Sequence, residues 1–221
     1  MHEIIKNLES VKHKINEKIK ISEENTKQPT IIAISKTFSL DQINPLIEVG
    51  HIHFGENKVQ EAVEKWTDIK NDFKNIKLHM IGKLQTNKVK YVIPLFDYIH
   101  SVDSLKLAEK ISQQQIKNNK IMKLFIQINI GNENQKSGIL IDQLDNFYNK
   151  CTNDLGLNII GLMCLPPNDD KSSAYFSKMQ QLVKKLHLKD ISMGMSNDYL
   201  EAINYESTYL RIGSKIFGER T

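Results

Sequence analysis

The sequence predicts one α/β domain, a closed (β/α)8 barrel of the TIM type with an extra helix in front. Three observations carry this. Short apolar runs that read as strands buried on both faces recur at eight places. A helical stretch follows each run, and strict alternation implies parallel pairing with right-handed crossovers. Eight such units in 221 residues suit a closed barrel. An open doubly wound sheet is the alternative; it usually needs only five or six strands, and its GxGxxG is missing here.

The elements follow in order. Ile4, Leu8, Val11, Ile15 and Ile19 make one apolar stripe on an otherwise polar opening helix. A polar stretch over 22–30, with Pro29, separates it from the first strand, 30–35. Ser39 is the expected N-cap of the next helix and Gly50 its stop. Then come strand 51–54 and helix 58–69, strand 77–81 and a helix through Val89, strand 98–102 and a helix to about Lys117. Strand 123–130 is the clearest, followed by helix 142–150. Strand 158–163 leads through Pro166-Pro167 to helix 172–186. Strand 189–193 precedes a short helix at 198–204, and strand 208–212 precedes a last helical turn. The whole of 1–221 is read as a single domain.

Composition narrows the class. Thirty Lys and Arg against 26 Asp and Glu leave a net charge of +4, carried mainly by scattered lysines. No basic block with interleaved aromatics is present, so nucleic acid is not an expected partner. No run approaches the ~18 apolar residues of a membrane span, and the charged start lacks a signal-peptide core. The two cysteines, Cys151 and Cys164, form neither a CxxC nor a disulfide framework. A cytoplasmic location is expected. The histidines show no HxxxH or HExxH spacing, so His51, His53 and His79 read as packing or hydrogen-bonding residues rather than metal ligands.

In a barrel of this kind the active site lies at the C-terminal ends of the strands. The first strand ends in Ser35-Lys36-Thr37. Lys36 either marks the strand's exit into water or sits in a partly dry pocket, where a lowered pKa would let its neutral amine form a Schiff base with a carbonyl. Gly194-Met195-Ser196 and Arg211-Ile212-Gly213-Ser214 follow the last two strands. Read separately they are a cap and a turn. Adjacent in a barrel they make an anion site, because glycine admits close backbone approach, helix starts offer N–H groups and Ser196 adds a hydroxyl. A lysine facing a phosphate site suggests pyridoxal phosphate. A Schiff-base aldolase is disfavoured because its lysine usually lies on a later strand.

The motif set then resembles the pyridoxal phosphate homeostasis protein family. It consists of Ile34-Ser35-Lys36-Thr37, Phe54-Gly55-Glu56-Asn57 with Val59-Gln60-Glu61, His79-Met80-Ile81-Gly82 and Leu84-Gln85-Thr86-Asn87-Lys88. Lys136-Ser137-Gly138, Gly161-Leu162-Met163, Ser192 through Ser196, and Arg211-Ile212-Gly213 with Ile216-Phe217-Gly218 complete it in the family's order. The resemblance implies a barrel similar to the N-terminal domain of alanine racemase, binding pyridoxal phosphate without an established turnover. It implies that Lys36 carries the Schiff base. Ser196, the backbone of Gly213 and Ser214 would hold the phosphate, Arg211 would face the pyridine nitrogen, and Asn57 and Met163 would line the pocket. Lys58, Lys83 and Cys164 depart from the family's usual tyrosine, histidine and threonine.

A permanent cation beside the ring nitrogen keeps that nitrogen unprotonated and weakens the ring as an electron sink. Racemases of this likeness draw a second base, a tyrosine, from an additional β-domain, whereas this sequence ends at Thr221 after its eighth strand. The expected function is therefore binding and intracellular homeostasis of pyridoxal phosphate, with apo-forms of its dependent enzymes as recipients. The alternative is a weak amino-acid racemase.

Overall fold

The structure is a computed structural model that describes residues 2–21, 27–133, 135–169 and 171–219. Its centre is a closed barrel of eight parallel strands in sequence order. They are β1 (Thr30–Ile34), β2 (His53–Glu56), β3 (Lys77–Met80), β4 (Tyr98–Val102), β5 (Lys123–Ile128), β6 (Ile159–Cys164), β7 (Asp190–Met195) and β8 (Tyr209–Ile212). Closure is made by β1 against β8, with Thr30 opposite Tyr209 and Ala33 opposite Ile212.

The helices form the outer layer: α1 (Glu3–Ile21), α2 (Leu40–Glu48), α3 (Val59–Asp72), α4 (Val89–Leu95), α5 (Leu105–Asn118), α6 (Leu144–Asn149), α7 (Ser172–Lys185), α8 (Tyr199–Ile203) and α9 (Ser214–Phe217). On α1 the expected stripe faces inward: Ile4, Leu8, Val11 and Ile15 are buried, and Ile19 packs partly buried at the end. Each fully buried side chain of this kind contributes roughly 1.5–3 kcal/mol. The helix packs against α2, α8 and α9, and Asn7 Nδ2 donates to Ile216 O at 3.0 Å. Ser39 begins α2 as expected, its N–H donating to the Gln42 side chain at 3.2 Å. Gly50 follows with φ +81, the left-handed conformation that ends a helix most easily with glycine. Part of the polar stretch over 22–30 lies outside the described residues.

Strand ends differ from the sequence reading by one or two residues. The larger difference follows β3, where a helix through Val89 was expected. Instead the chain stays irregular to Gln85, makes one 3-10 turn (Thr86–Lys88) and only then enters α4. Gly82 lies in this stretch against the Asn57 main chain, where a Cβ would come within 2.3 Å of the Asn57 carbonyl oxygen. The expected helix 142–150 is likewise broken into a 3-10 turn (Ile141–Gln143), α6 and a wider π-type turn (Lys150–Asp154).

Two apolar layers result. The main core lies between sheet and helices. A second cluster, Tyr98, Phe125 and Met163 with Ile160 and Tyr209, fills the barrel itself. Ring stacking extends it: His100 lies on Phe125 with centroids 4.3 Å apart, and His79 on Tyr98 at 4.1 Å. Gly55 makes room for Ile32 and Ile34, since a Cβ there would lie 2.7 Å from Ile34 Cδ1.

Candidate functional site

A cavity of about 880 Å³ opens at the C-terminal ends of the strands. Its walls include Lys36, Asn57, Ser196, Arg211, Gly213 and Ser214, six of the seven side chains and backbone positions singled out in the sequence. The seventh, Met163, is not among the lining residues. It points into the barrel from within β6 and is fully buried against Tyr98 and Phe125. The strand continues to Cys164, so Met163 lies inside the strand rather than at its end. Lys58 and Lys83 are exposed and do not line the cavity. Lys136 and Ser137 also stay outside the lining; Lys136 Nζ donates to Pro166 O at 3.2 Å and Ser137 O accepts from Gln127 at 3.1 Å, which ties two rim loops together.

Lys36 follows β1 directly and is half-buried. The main chain on both sides of it is clamped. Lys65 Nζ donates to Ser35 O at 2.9 Å, to Glu56 Oε1 at 3.1 Å and to Glu61 Oε1 at 3.0 Å. The Thr37 N–H donates to the same Glu61 oxygen at 2.6 Å. Thr37 has φ +71, an unfavourable conformation for a β-branched residue, and this contact helps hold it. Glu56 Oε1 also accepts from Ser35 Oγ at 2.7 Å and from Trp66 Nε1 at 2.9 Å. Burial pushes the Glu56 carboxyl pKa up, opposed by the charge of Lys65.

Across the cavity the loops after β7 and β8 meet. Ser196 Oγ accepts from Gly213 N at 3.2 Å and from Lys215 N at 3.4 Å, so one hydroxyl joins both loops. Gly194 has φ +87, and a Cβ there would press on Ala202 at 2.7 Å. Met195 N donates to Asp198 Oδ1 at 2.6 Å, which fixes the turn into α8.

Arg211 is buried at 3% exposure, with Nη1 donating to Ser192 Oγ at 2.7 Å and Nη2 to Cys164 O at 2.8 Å. Burial pulls its pKa down, yet guanidinium stays charged in proteins. Among the described residues no carboxylate lies within ion-pair distance of it. Asn57 Oδ1 is another buried polar atom on the cavity wall, and no hydrogen-bond partner is found for it among the described residues. Both thiols, Cys151 and Cys164, are pushed up to about 12 by burial, which keeps them unreactive at neutral pH. Cys164 meets Arg211 through its carbonyl.

Sequence reading gave Ser192 no role beyond its motif and missed His100. Both are fully buried and both connect to Arg211, directly or through one another. The available signal was alternation along β4, Tyr98-Ile99-His100, which puts the tyrosine and the histidine on one face. His79 is a buried interior residue, as the packing reading expects, while His51 precedes β2 instead of belonging to it. Among the described residues no group of His, Cys, Asp and Glu could hold a metal ion, and no helix is long and apolar enough to cross a membrane.

Comparison with known proteins gives the family and the fold. The profile of the alanine racemase N-terminal domain family matches residues 7–221. The pyridoxal phosphate homeostasis protein of Haemophilus influenzae is 35% identical, over 97% of this chain and 94% of its own. Its namesake in Escherichia coli is 33% identical, over 100% of this chain and 98% of its own. Among solved structures, PipY of Synechococcus elongatus with pyridoxal phosphate bound superposes with a TM-score of 0.85 at 28% identity, covering 97% of this chain and 100% of PipY. Alanine racemase of Corynebacterium glutamicum, at 14% identity and a TM-score of 0.67, shares the fold over 96% of this chain and 61% of its own.

Proposed function

The chain belongs to the pyridoxal phosphate homeostasis protein family, built on the alanine racemase N-terminal domain, and from that premise we propose that it holds pyridoxal phosphate as a Schiff base on Lys36, serving cofactor homeostasis and delivery to apo-enzymes in the cytoplasm. The observation that carries this reading is the convergence of Lys36, Arg211 and the Ser196–Gly213 junction on one cavity. The residues fit such a cofactor. A guanidinium with no carboxylate partner among the described residues suits a ring nitrogen's lone pair. The Asn57 amide oxygen is a buried polar atom awaiting a donor. The loops that meet at Ser196 offer backbone N–H groups and hydroxyls to a phosphate, with Ser214 beside them.

Pyridoxal phosphate supplies an aldehyde that condenses with an unprotonated amine and releases water. The chain's part is to present that amine. The Lys65–Glu61–Glu56 clamp fixes the backbone on either side of Lys36, so the side chain enters the cavity from a rigid base. Arg211, always charged, keeps a facing nitrogen unprotonated and discourages carbanion chemistry. The titratable residues that line the cavity are Lys36, Asp169, Asp198, Arg211 and Glu219, with no tyrosine, histidine or cysteine among the described lining. Asp198 is already engaged with Met195 N. This supports a binding role over racemisation, which needs bases on opposite faces.

Borohydride reduction followed by mass spectrometry tests the reading. The phosphopyridoxyl label is expected on Lys36, and Lys36→Ala is expected to lose the visible absorption band while staying folded. Recovery of the label chiefly on Lys58 or Lys83 would overturn the assignment.

A further inference from the structure

A string of polar contacts runs down the barrel from Arg211. Its Nη1 lies 2.7 Å from Ser192 Oγ, and that oxygen lies 2.9 Å from His100 Nδ1. His100 Nε2 lies 2.9 Å from His79 Nδ1, and His79 Nε2 lies 2.9 Å from His53 Nδ1. Ser192, His79 and His100 are fully buried, whereas His53, at the start of β2 and the opposite end of the barrel, is half-buried. Four strands other than that of Arg211 contribute, and the Ser192–His100 contact spans the interior between β7 and β4.

Chemistry gives this string a direction. Guanidinium has only donors, so Ser192 must accept from Arg211. Among the described residues the single serine hydrogen then has one acceptor in reach, His100 Nδ1. His100 must carry its proton on Nε2 and donate to His79, and His79 must likewise donate from Nε2 to His53. The reverse order would leave a buried hydroxyl hydrogen without an acceptor, which is the unfavourable case. Burial, reinforced at His100 by the charge of Arg211, favours neutral rings throughout.

We infer that Ser192, His100, His79 and His53 are positioning residues for Arg211, linked as a one-way relay in which all three histidines are the Nε2–H tautomer. Resting on the reading of Arg211 as the group that faces the cofactor ring, the relay lets the far end of the barrel set the orientation of the guanidinium. A histidine string that merely filled space would have no required tautomer and no dependence on an acceptor at position 53.

The test has two arms. In the cofactor-free, unmutated chain, 15N NMR of the imidazoles is expected to show Nε2–H at His53, His79 and His100. An Nδ1–H form at His79 or His100 overturns the relay. In the second arm, pyridoxal phosphate affinity and the visible spectrum are compared for His53→Phe, which deletes the acceptor, and His53→Asn, whose amide oxygen replaces Nδ1. The phenylalanine variant is expected to bind severalfold more weakly with a shifted band, and the asparagine variant to recover both. Unchanged affinity and spectrum in both variants overturns the positioning role, as does equal damage in both. If the unmutated chain takes up no pyridoxal phosphate, the functional reading falls, and the tautomer measurement still decides the relay.

Discussion

Two cations with little exposure, Arg211 on the cavity wall and Lys65 behind Lys36, are treated in opposite ways. Lys65 is enclosed by two carboxylates and a carbonyl: Glu56, Glu61 and Ser35 O all lie within 3.1 Å of its ammonium. Arg211 has a hydroxyl and a carbonyl for company and no carboxylate at ion-pair distance among the described residues. A buried charge that is fully paired closes a structure, since nothing further is needed to satisfy it. A buried charge left with neutral partners retains capacity for a ligand. Lys65 therefore belongs to the scaffold that holds Lys36, and Arg211, on the function proposed above, to the surface offered to the cofactor.

The largest expected effect separates the polar groups attached to each cation by pH. His51 and His53 are lowered to about 4 chiefly by burial, and burial also lowers His79 and His100. Between about 4 and the ordinary 6.5 the unfolded chain binds more protons than the folded one, so stability falls as pH falls through that window. The slope is at most about 1.4 kcal/mol per pH unit for each histidine, and less for His53, which is partly open to water. Glu56 acts in the other sense. Its carboxyl is raised by burial, so the folded state binds more protons above 4.5 and this carboxyl's contribution is lost as pH rises. The histidines are more numerous, and urea midpoints are expected to drop steadily from pH 7 to pH 5. A midpoint that rises on acidification would contradict neutral buried histidines.

Substitution of the two cations comes next. Lys65→Met leaves Glu56 buried without its counter-charge, which is expected to cost about 3–5 kcal/mol of unfolding free energy. Arg211→Met strands no carboxylate and removes donors from one hydroxyl and one carbonyl, at roughly 1–3 kcal/mol. Denaturant unfolding of the two variants tests the ranking, with an unchanged m-value as the sign that two-state folding is kept. If Lys65→Met loses less than Arg211→Met, the division into scaffold and ligand-facing cation is wrong.

Cofactor affinity should rank the same pair the other way. A hydrogen bond involving a charged group contributes about 1.5–3 kcal/mol, so Arg211→Met is expected to weaken pyridoxal phosphate binding by roughly 10- to 150-fold. Lys65→Met, measured on the fraction that remains folded, should change affinity less, because Lys65 acts only through the backbone beside Lys36. Equal losses would place both cations in the binding apparatus.

Legibility in the sequence follows the same division. The eight strands could be read because each is a short buried run between turn signals, and the barrel then assigns strand ends to one rim without further information. That is how Lys36, Asn57, Ser196, Arg211, Gly213 and Ser214 could be grouped although nearly 180 residues separate the first from the last. Met163 falls outside the lining because its side chain packs inside the barrel against Tyr98 and Phe125. The Lys65 clamp and the histidine relay were out of reach for a different reason. They depend on lateral register, such as Gly55 opposite His79 and His79 opposite Tyr98, and on which side chains meet across the barrel interior. Local periodicity carries neither.

The smallest expected effect probes the Ser196 junction, where the hydroxyl's contacts among the described residues are to backbone N–H groups. Ser196 Oγ accepts from two backbone N–H groups, which leaves its own hydrogen free to donate toward the cavity it lines. Ser196→Ala removes that donor and the acceptor that joins the two loops, but the Gly213 and Lys215 N–H groups remain and can turn to a phosphate oxygen. The loss is therefore held near the lower end for a charged hydrogen bond, about 1.5 kcal/mol or on the order of tenfold in affinity. Ser196→Asp satisfies the same backbone donors with a carboxylate and sets a negative charge where the phosphate is expected, so it should bind more weakly than the alanine variant. High salt should narrow the gap between the two variants, because screening weakens a charge–charge repulsion more than it weakens a lost neutral donor. Isothermal titration with pyridoxal phosphate at two salt concentrations measures both. Equal affinity in serine, alanine and aspartate forms would move the phosphate away from this junction and leave Arg211 without a partner across the cavity.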